Sequence, residues 1–317
     1  TAVGFDSLFS NTSGADNVAV GSIALDANTT GNQNIAIGKN SLGANTTGSA
    51  NVAMGQSALG ANTTASNNTA IGVEALLANT TGATHVAVGA LALQNHQSNN
   101  DNTSIGYRSM QNSTTSARNT AVGENALHDL TTALNCVAVG VDAGQNITTG
   151  NDNVCLGKSA GDNIITGSNN VVIGKDAENP SNTSSNNVTL GNSNTAALRC
   201  QVTSITSLSD KRDKTDIVDL PIGLDFINKL RPVKFKWNIR EALENNPHQG
   251  KERAGFIAQD FAAAQAGSEY LDLVMDENPE KLEARQGHLI PVLVNAIKEL
   301  SAKNTALETR VAALDAA

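Results

Sequence analysis

The sequence predicts two parts, an all-β solenoid built from 17-residue coils and then a small α+β domain that ends in a coiled-coil helix. Three observations predict it. Glycines recur every 17 residues from Gly4 to Gly191 without a slip, charge density rises abruptly after the last of them, and the final stretch spaces its apolar residues alternately three and four apart. Twelve copies of one short period mean an architecture in which each unit leans on its neighbours.

Each coil opens with a strand. Three residues before every glycine stands Thr, Val or Ile, and one residue before it Val, Ile, Met or Leu, so the two share one face. Between them a small residue predominates, as at Ala19, Ala36, Ala53, Ala70 and Ala87, and this close-approach face is the expected contact with another subunit. Four residues after the glycine runs a second apolar row, Leu8, Leu25, Leu42, Leu59, Leu76, Leu93, Met110 and Leu127, read as a second short strand. The remainder is Asn, Thr and Gly, as in Asn28-Thr29-Thr30-Gly31, which is turn chemistry.

Seventeen residues cannot build a helix pair but can close one coil, and coils stacked about 4.8 Å apart make a rod of roughly 60 Å. Gly144 and Gly161 replace the second apolar row while Ile147 and Ile164 appear three residues later, which predicts a change of cross-section. Thr195 occupies that row after Gly191, so the solenoid is expected over 1–195, a connector over 196–208 and the second domain over 209–317, with its helix at about 288–315.

Composition excludes several function classes. A formal charge of −9, with no basic stripe, argues against nucleic acid or an anionic membrane surface as partner. No apolar run approaches the roughly 20 residues of a membrane helix, and no membrane insertion is expected. No leader is visible, but Thr1 falls inside a repeat, as in a piece cut from a longer parent. Cys136, Cys155 and Cys200 show no CxxC spacing and read as free thiols.

His85, His96, His128, His248 and His288 lack metal-ligand spacing, and no cofactor is indicated. The Asn-x-Thr sequons at Asn28, Asn45, Asn62 and Asn79 follow from the repeat and do not call for glycans. Adjacent threonines in a turn do not make the flat alternating face that ice binding needs.

Residues 1–191 hold 5 Lys/Arg and 12 Asp/Glu, leaving 16 and 18 for the rest. The second domain opens with Ser209-Asp210-Lys211-Arg212-Asp213-Lys214, continues through Leu230-Arg231-Pro232-Val233 to Phe235-Lys236-Trp237, where alternation favours a strand, and then reaches Gly255-Phe256-Ile257-Ala258-Gln259-Asp260. Ile290, Leu293, Ile297, Leu300, Asn304, Leu307, Val311 and Leu314 form an a/d seam. Ile and Val at a with Leu at d would by themselves favour two strands; a helix packed on its own domain is the alternative reading.

From Ser209 to the C-terminus the sequence resembles the intramolecular chaperone domain of phage endosialidases and tail fibres, peptidase family S74. The Ser-Asp-x-Arg-x-Lys opening, the Leu-Arg-Pro-Val segment and the Gly-Phe-Ile-Ala-Gln-Asp segment carry the resemblance, with Asp260 where Glu is commoner. It implies a trimeric folding module that cuts itself from the fibre between Leu208 and Ser209, with Ser209 as nucleophile and Lys214 as its partner. The repeats resemble the heads of trimeric autotransporter adhesins, on segments such as Asn17-Val18-Ala19-Val20-Gly21 and Asn34-Ile35-Ala36-Ile37-Gly38. That resemblance implies a left-handed parallel β-roll in each of three chains.

The expected activity is a single-turnover serine endopeptidase with no external substrate. A serine hydroxyl needs a base, and a lysine serves only when neutral, which burial or neighbouring cations such as Lys211 and Arg212 favour. An exposed charged turn is the plain alternative, since Asp210 and Asp213 alternate with those cations. The resemblances imply a homotrimeric fibre or spike of a phage virion, made in the host bacterial cytoplasm, which attaches to a host-surface receptor, sugar or protein.

Three rivals compete with it. A bacterial surface adhesin needs an anchor barrel; a polysaccharide-degrading spike needs paired carboxylates, whereas Asp26, Glu74, Asp101, Glu124 and Asp142 are scattered; a membrane-tethered transcription factor needs a DNA-binding domain upstream.

Overall fold

A computed structural model describes residues 1–199, 209–238 and 246–316. Cys200 and Leu208 lie outside the described residues. The chain forms two compact units, Thr1–Asn192 and Ser193–Ala317.

The first unit is a parallel β-solenoid. One strand per coil, from β1 (Ala2–Val3) and β2 (Val18–Val20) to β12 (Val188–Leu190), joins a single sheet in which the strands lie in sequence order. The register advances by 17 throughout, as in Val18 opposite Ile35 and Ile35 opposite Val52.

Two expectations about the coil are corrected. The alanine row faces inward: Ala19, Ala36, Ala53, Ala70 and Ala87 are fully buried in the coil's own core. The flanking positions face outward, so Ile37, Met54, Ile71, Ile105, Val139 and Ile173 are exposed. Alternation established two faces, and packing decided which one turned in: the buried row is alanine beside the leucines and takes Cys155 and Val172 in later coils where leucine is absent.

The second apolar row is not a strand. Leu25, Leu42, Leu59, Leu76, Leu93 and Leu127 are fully buried in turns with φ between 50 and 54, the left-handed region. That conformation costs a non-glycine residue about 1–2 kcal/mol. Burying a leucine returns about 1.5–3 kcal/mol, so burial wins. The backbone N–H is also satisfied, since Leu25 N donates to Ser41 O and Leu42 N to Ala58 O, each at 3.0 Å.

At Gly144 and Gly161 the turn keeps its left-handed backbone, with φ of 56 and 64, and the strand register is unbroken, so volume is exchanged while the coil's backbone is retained. Ile147 and Ile164 fill the space that leucine leaves, and an added Cβ would meet Ile147 Cδ1 at 3.0 Å or, at Gly161, Cys155 Sγ at 2.6 Å.

Two rows of buried polar side chains line the coil. Asn28, Asn45, Asn62 and Asn79 form a ladder in which each Nδ2 donates to the preceding Oδ1 at 2.8–3.1 Å and to a carbonyl of its own coil. Both hydrogens are spent, which removes the penalty of burying the amide. These are the sequon asparagines, and their burial leaves no nitrogen for a glycan. In the other row Asn17, Asn34, Asn51 and Asn68 each accept from the next coil's backbone N–H.

Cys136 occupies that second row and donates to Gly150 O at 3.2 Å. Burial pushes the thiols of Cys136 and Cys155 up to about 11 and about 12, so both are unreactive free cysteines.

The second unit is small and α+β. β13 (Val233–Lys236) pairs antiparallel with β14 (Glu252–Gly255), β15 (Val274–Met275) pairs with β16 (Glu283–Ala284), and α1 (Leu224–Ile227), α2 (Ala258–Ala264) and α3 (Ile290–Asp315) complete it. Phe226, Phe261, Leu271, Leu273, Leu289 and Val292 form its core. Pro291 lies in the first turn of α3, where its missing N–H costs no helix bond.

This 26-residue helix has two working faces. Val292 and Ala296 are buried, whereas the seam residues Ile290, Leu293, Ile297, Leu300, Leu307 and Val311 are exposed. Packing on its own unit and presenting an apolar seam therefore coexist in one helix. Among the described residues no helix is long and apolar enough to cross a membrane.

Candidate active site

The charged opening of the second domain folds into one turn. Asp210 has extended backbone, φ −68 and ψ 137, and its carboxylate accepts from Arg212 N at the start of a 3-10 turn over Lys211–Asp213. The Arg212 side chain folds back on the same carboxylate, Nη2 to Oδ2 at 2.6 Å, and holds the Asp210 carboxyl below the usual carboxylate range. Asp213 N and Lys214 N close the turn onto Asp210 O and Lys211 O, both at 3.2 Å.

Reversing the chain over three residues brings its two ends together. Lys214 Nζ donates to Ser209 Oγ at 2.5 Å, and both residues are exposed. A spacing of five, which in an extended segment would send the two side chains far apart, thus becomes a hydrogen-bonded pair. In this arrangement the ammonium donates; once deprotonated, the same nitrogen is placed to accept the hydroxyl proton. Leu208, on the other side of the expected scissile bond, lies outside the described residues.

The other motif segments buttress each other. Arg231 Nε and Nη2 donate to Asp260 Oδ2 at 3.1 and 2.9 Å, so the aspartate makes an ion pair at the position where glutamate was expected. Gly255 lies opposite Val233 in the β13–β14 pair, and an added Cβ would come within 3.3 Å of Phe235 Cε1. Phe235 in turn packs edge-on against Trp237, centroids 5.2 Å apart.

A second set of positioning residues has no signature in the sequence. Asn295 Nδ2 donates to Leu220 O at 3.1 Å and Ile222 O at 2.8 Å, and Glu299 Oε2 accepts from Leu224 N at 2.9 Å, capping α1. A Cβ at Gly223 would sit 2.2 Å from Glu299 Oε1, so a side chain there would displace the carboxylate that caps α1. These contacts tie α3 to the segment that follows Lys214. No local pattern could have announced them, because the partners are more than 70 residues apart.

Of the remaining histidines, His128 lies beside Asp129 and Gln111 in the solenoid, while His248 and His288 bond main-chain carbonyls in the second unit. Among the described residues no group of three or more His, Cys, Asp or Glu could hold a metal ion.

No curated protein and no solved structure matches the chain. Residues 209–269 match the peptidase S74 family model, described as the chaperone of endosialidase, so the chain carries a module similar to that chaperone behind a β-solenoid.

Proposed function

We propose that the chain is the shaft of a phage tail fibre or spike whose C-terminal module drives trimerisation and then removes itself by cutting between Leu208 and Ser209. The observation that carries this reading is the 2.5 Å contact between Lys214 Nζ and Ser209 Oγ at the first residue of the family match. Neutral Lys214 takes the hydroxyl proton, and Ser209 Oγ attacks the Leu208 carbonyl carbon. The C–N bond breaks, the Ser209 nitrogen is protonated as an amine, and water hydrolyses the resulting ester. Direct attack by a lysine-activated water gives the same products. Either way one water is consumed, leaving a Leu208 carboxylate and a free Ser209 α-amine.

Exposure of the pair in a single chain argues for control by assembly. A lysine base has to be neutral, and burial is what favours the neutral form, so packing of neighbouring copies over this turn would switch it on. Two exposed apolar surfaces suit such neighbours: the Val and Ile rows outside the solenoid sheet, and the α3 seam with Ile297 65% and Leu314 76% exposed. The C-terminal seam would align three chains before the repeats pair, since a repeat can slip by one coil almost without cost. Cutting the clamp away afterwards leaves a fibre that cannot readily reverse its assembly. Host-surface attachment follows from the fibre reading, and binding of the trimmed trimer to bacterial envelope fractions tests it.

The cut is tested on the full chain beside Ser209→Ala, Lys214→Ala and Ile297→Asp variants, by following fragment masses and oligomeric state. Wild type is expected to release a fragment beginning at Ser209, the first two variants to stay intact as trimers, and Ile297→Asp to remain both uncut and dissociated. An intact wild-type trimer would leave Ser209 and Lys214 as parts of a charged turn.

A further inference from the structure

The second unit begins at Ser193, well upstream of the bond proposed to be cut. What holds this connector to it is a turn in the connection between β13 and β14. Asn246, 8% exposed, donates from Nδ2 to Ser193 O at 3.0 Å, and His248 Nε2 donates to Thr195 O, also at 3.0 Å. A carbonyl only accepts, so the His248 hydrogen sits on Nε2.

The turn itself is braced. Asn246 Oδ1 accepts from His248 N at 2.8 Å, Pro247 between them has its φ locked by its ring, and Gly250 N donates to Trp237 O at 2.8 Å. The turn itself therefore orients the Asn246 amide, and both donors address main-chain carbonyls.

Resting on the proposed cut at Leu208–Ser209, we propose that the Asn246–His248 turn is a clasp that outlasts the cut. Residues 193–208 leave the reaction as the C-terminal end of the shaft fragment, yet Ser193 and Thr195 stay bonded to the excised module, which departs in a separate, slower step. Each bond is weak alone. Three chains present three clasps at once, and linked weak contacts dissociate far more slowly than single ones. Such a delay keeps the module on the fibre until all three chains have been cut.

The test uses the full chain, wild type beside Asn246→Asp and an Asn246→Asp/His248→Phe double variant. The aspartate keeps the acceptor for His248 N and replaces the donor to Ser193 O with a carboxylate oxygen that repels it. Cutting is followed on denaturing gels and fragment association by native mass measurement of the same samples. The expected result is an unchanged rate of cutting, with release roughly tenfold faster or more in the double variant.

A second arm carries Ser209→Ala and a recognition sequence for an external protease inserted between Thr206 and Ser207, cut by added protease with the clasp intact or altered. Retention only with the intact clasp supports the proposal even if wild type never cuts itself, which would overturn the self-cleavage reading alone. Release at the same rate with and without the clasp, in either arm, overturns the clasp.

Discussion

Replacing Gly55 with alanine is expected to lower the stability of the solenoid by more than about 4 kcal/mol, while Gly60→Ala in the same coil stays within about 1 kcal/mol of wild type. Gly55 ends its strand at φ +139, where side chains are rarely tolerated, and an added Cβ would lie 2.3 Å from Gly72 O and 2.5 Å from Gly72 C. The obstacle is the backbone of the next coil, which cannot swing aside without breaking the ladder, and the strained conformation itself adds about 1–3 kcal/mol. At Gly60 the nearest atoms are Ser57 O at 3.1 Å and Leu77 Cδ1 at 3.2 Å, and the latter is a side chain that can turn away. Denaturant midpoints of the two variants read the difference. Equal losses would mean that the close stacking of the glycine row does not limit stability.

Acid is expected to weaken the solenoid at one particular level. His85 and His96 stand where the two buried rows otherwise carry mainly asparagine, with ring centroids 4.5 Å apart. His85 copies the asparagine it replaces, donating from Nε2 to Asn99 O at 2.9 Å and accepting from Asn102 N at Nδ1. His96 does so less well: Nδ1 meets Ser113 Oγ at 3.0 Å, and Nε2 has no partner among the described residues. Burial lowers the two to about 4 and about 3, with the charge of His85 adding to the effect at His96 and Asp101 partly compensating at His85.

The folded values lie below the unfolded value of 6.5, so the unfolded chain binds more protons as pH falls. Stability is full above pH 6.5 and drains away between there and about pH 4 to 3. Each tenfold loss of proton affinity on folding corresponds to about 1.4 kcal/mol, which puts the total loss on the order of several kcal/mol. A His85→Asn/His96→Asn chain, which restores the rows' own residue, should keep its unfolding midpoint from pH 7 to pH 4 better than wild type. Parallel pH profiles for the two chains would remove the histidines from the account.

Much of the fold was legible because translation by 17 residues is visible without any three-dimensional information. What repeats in sequence must repeat in space, so the parallel sheet and its register follow from the glycine spacing alone. The seam of α3 was legible for the same reason, since three-four alternation is a property of one helix. Ser209 and Lys214 were found through a motif, and the motif could not say how a spacing of five brings them into contact; that needed the 3-10 turn and the Asp210–Arg212 bracket.

Two readings failed where local preference and packing disagree. Nothing in Leu25 or Leu42 announces a left-handed turn, because the conformation is unfavourable until the side chain is buried and the N–H finds a carbonyl in the next coil. Nor could alternation tell whether Ala36 or Ile37 faces inward, since either face is consistent with a strand seen alone.

By itself, then, the sequence determined the period, the parallel pairing, the apolar seam of the last helix and the motif that holds Ser209 and Lys214. Only the tertiary structure decided which face of each strand is core, which residues bear strained backbone, and how Asn295, Glu299, Asn246 and His248 reach partners far along the chain. The physical reason is the range of the interactions: periodicity and motifs are local and survive in one dimension, whereas burial and long-range hydrogen bonds exist only once distant segments share one volume.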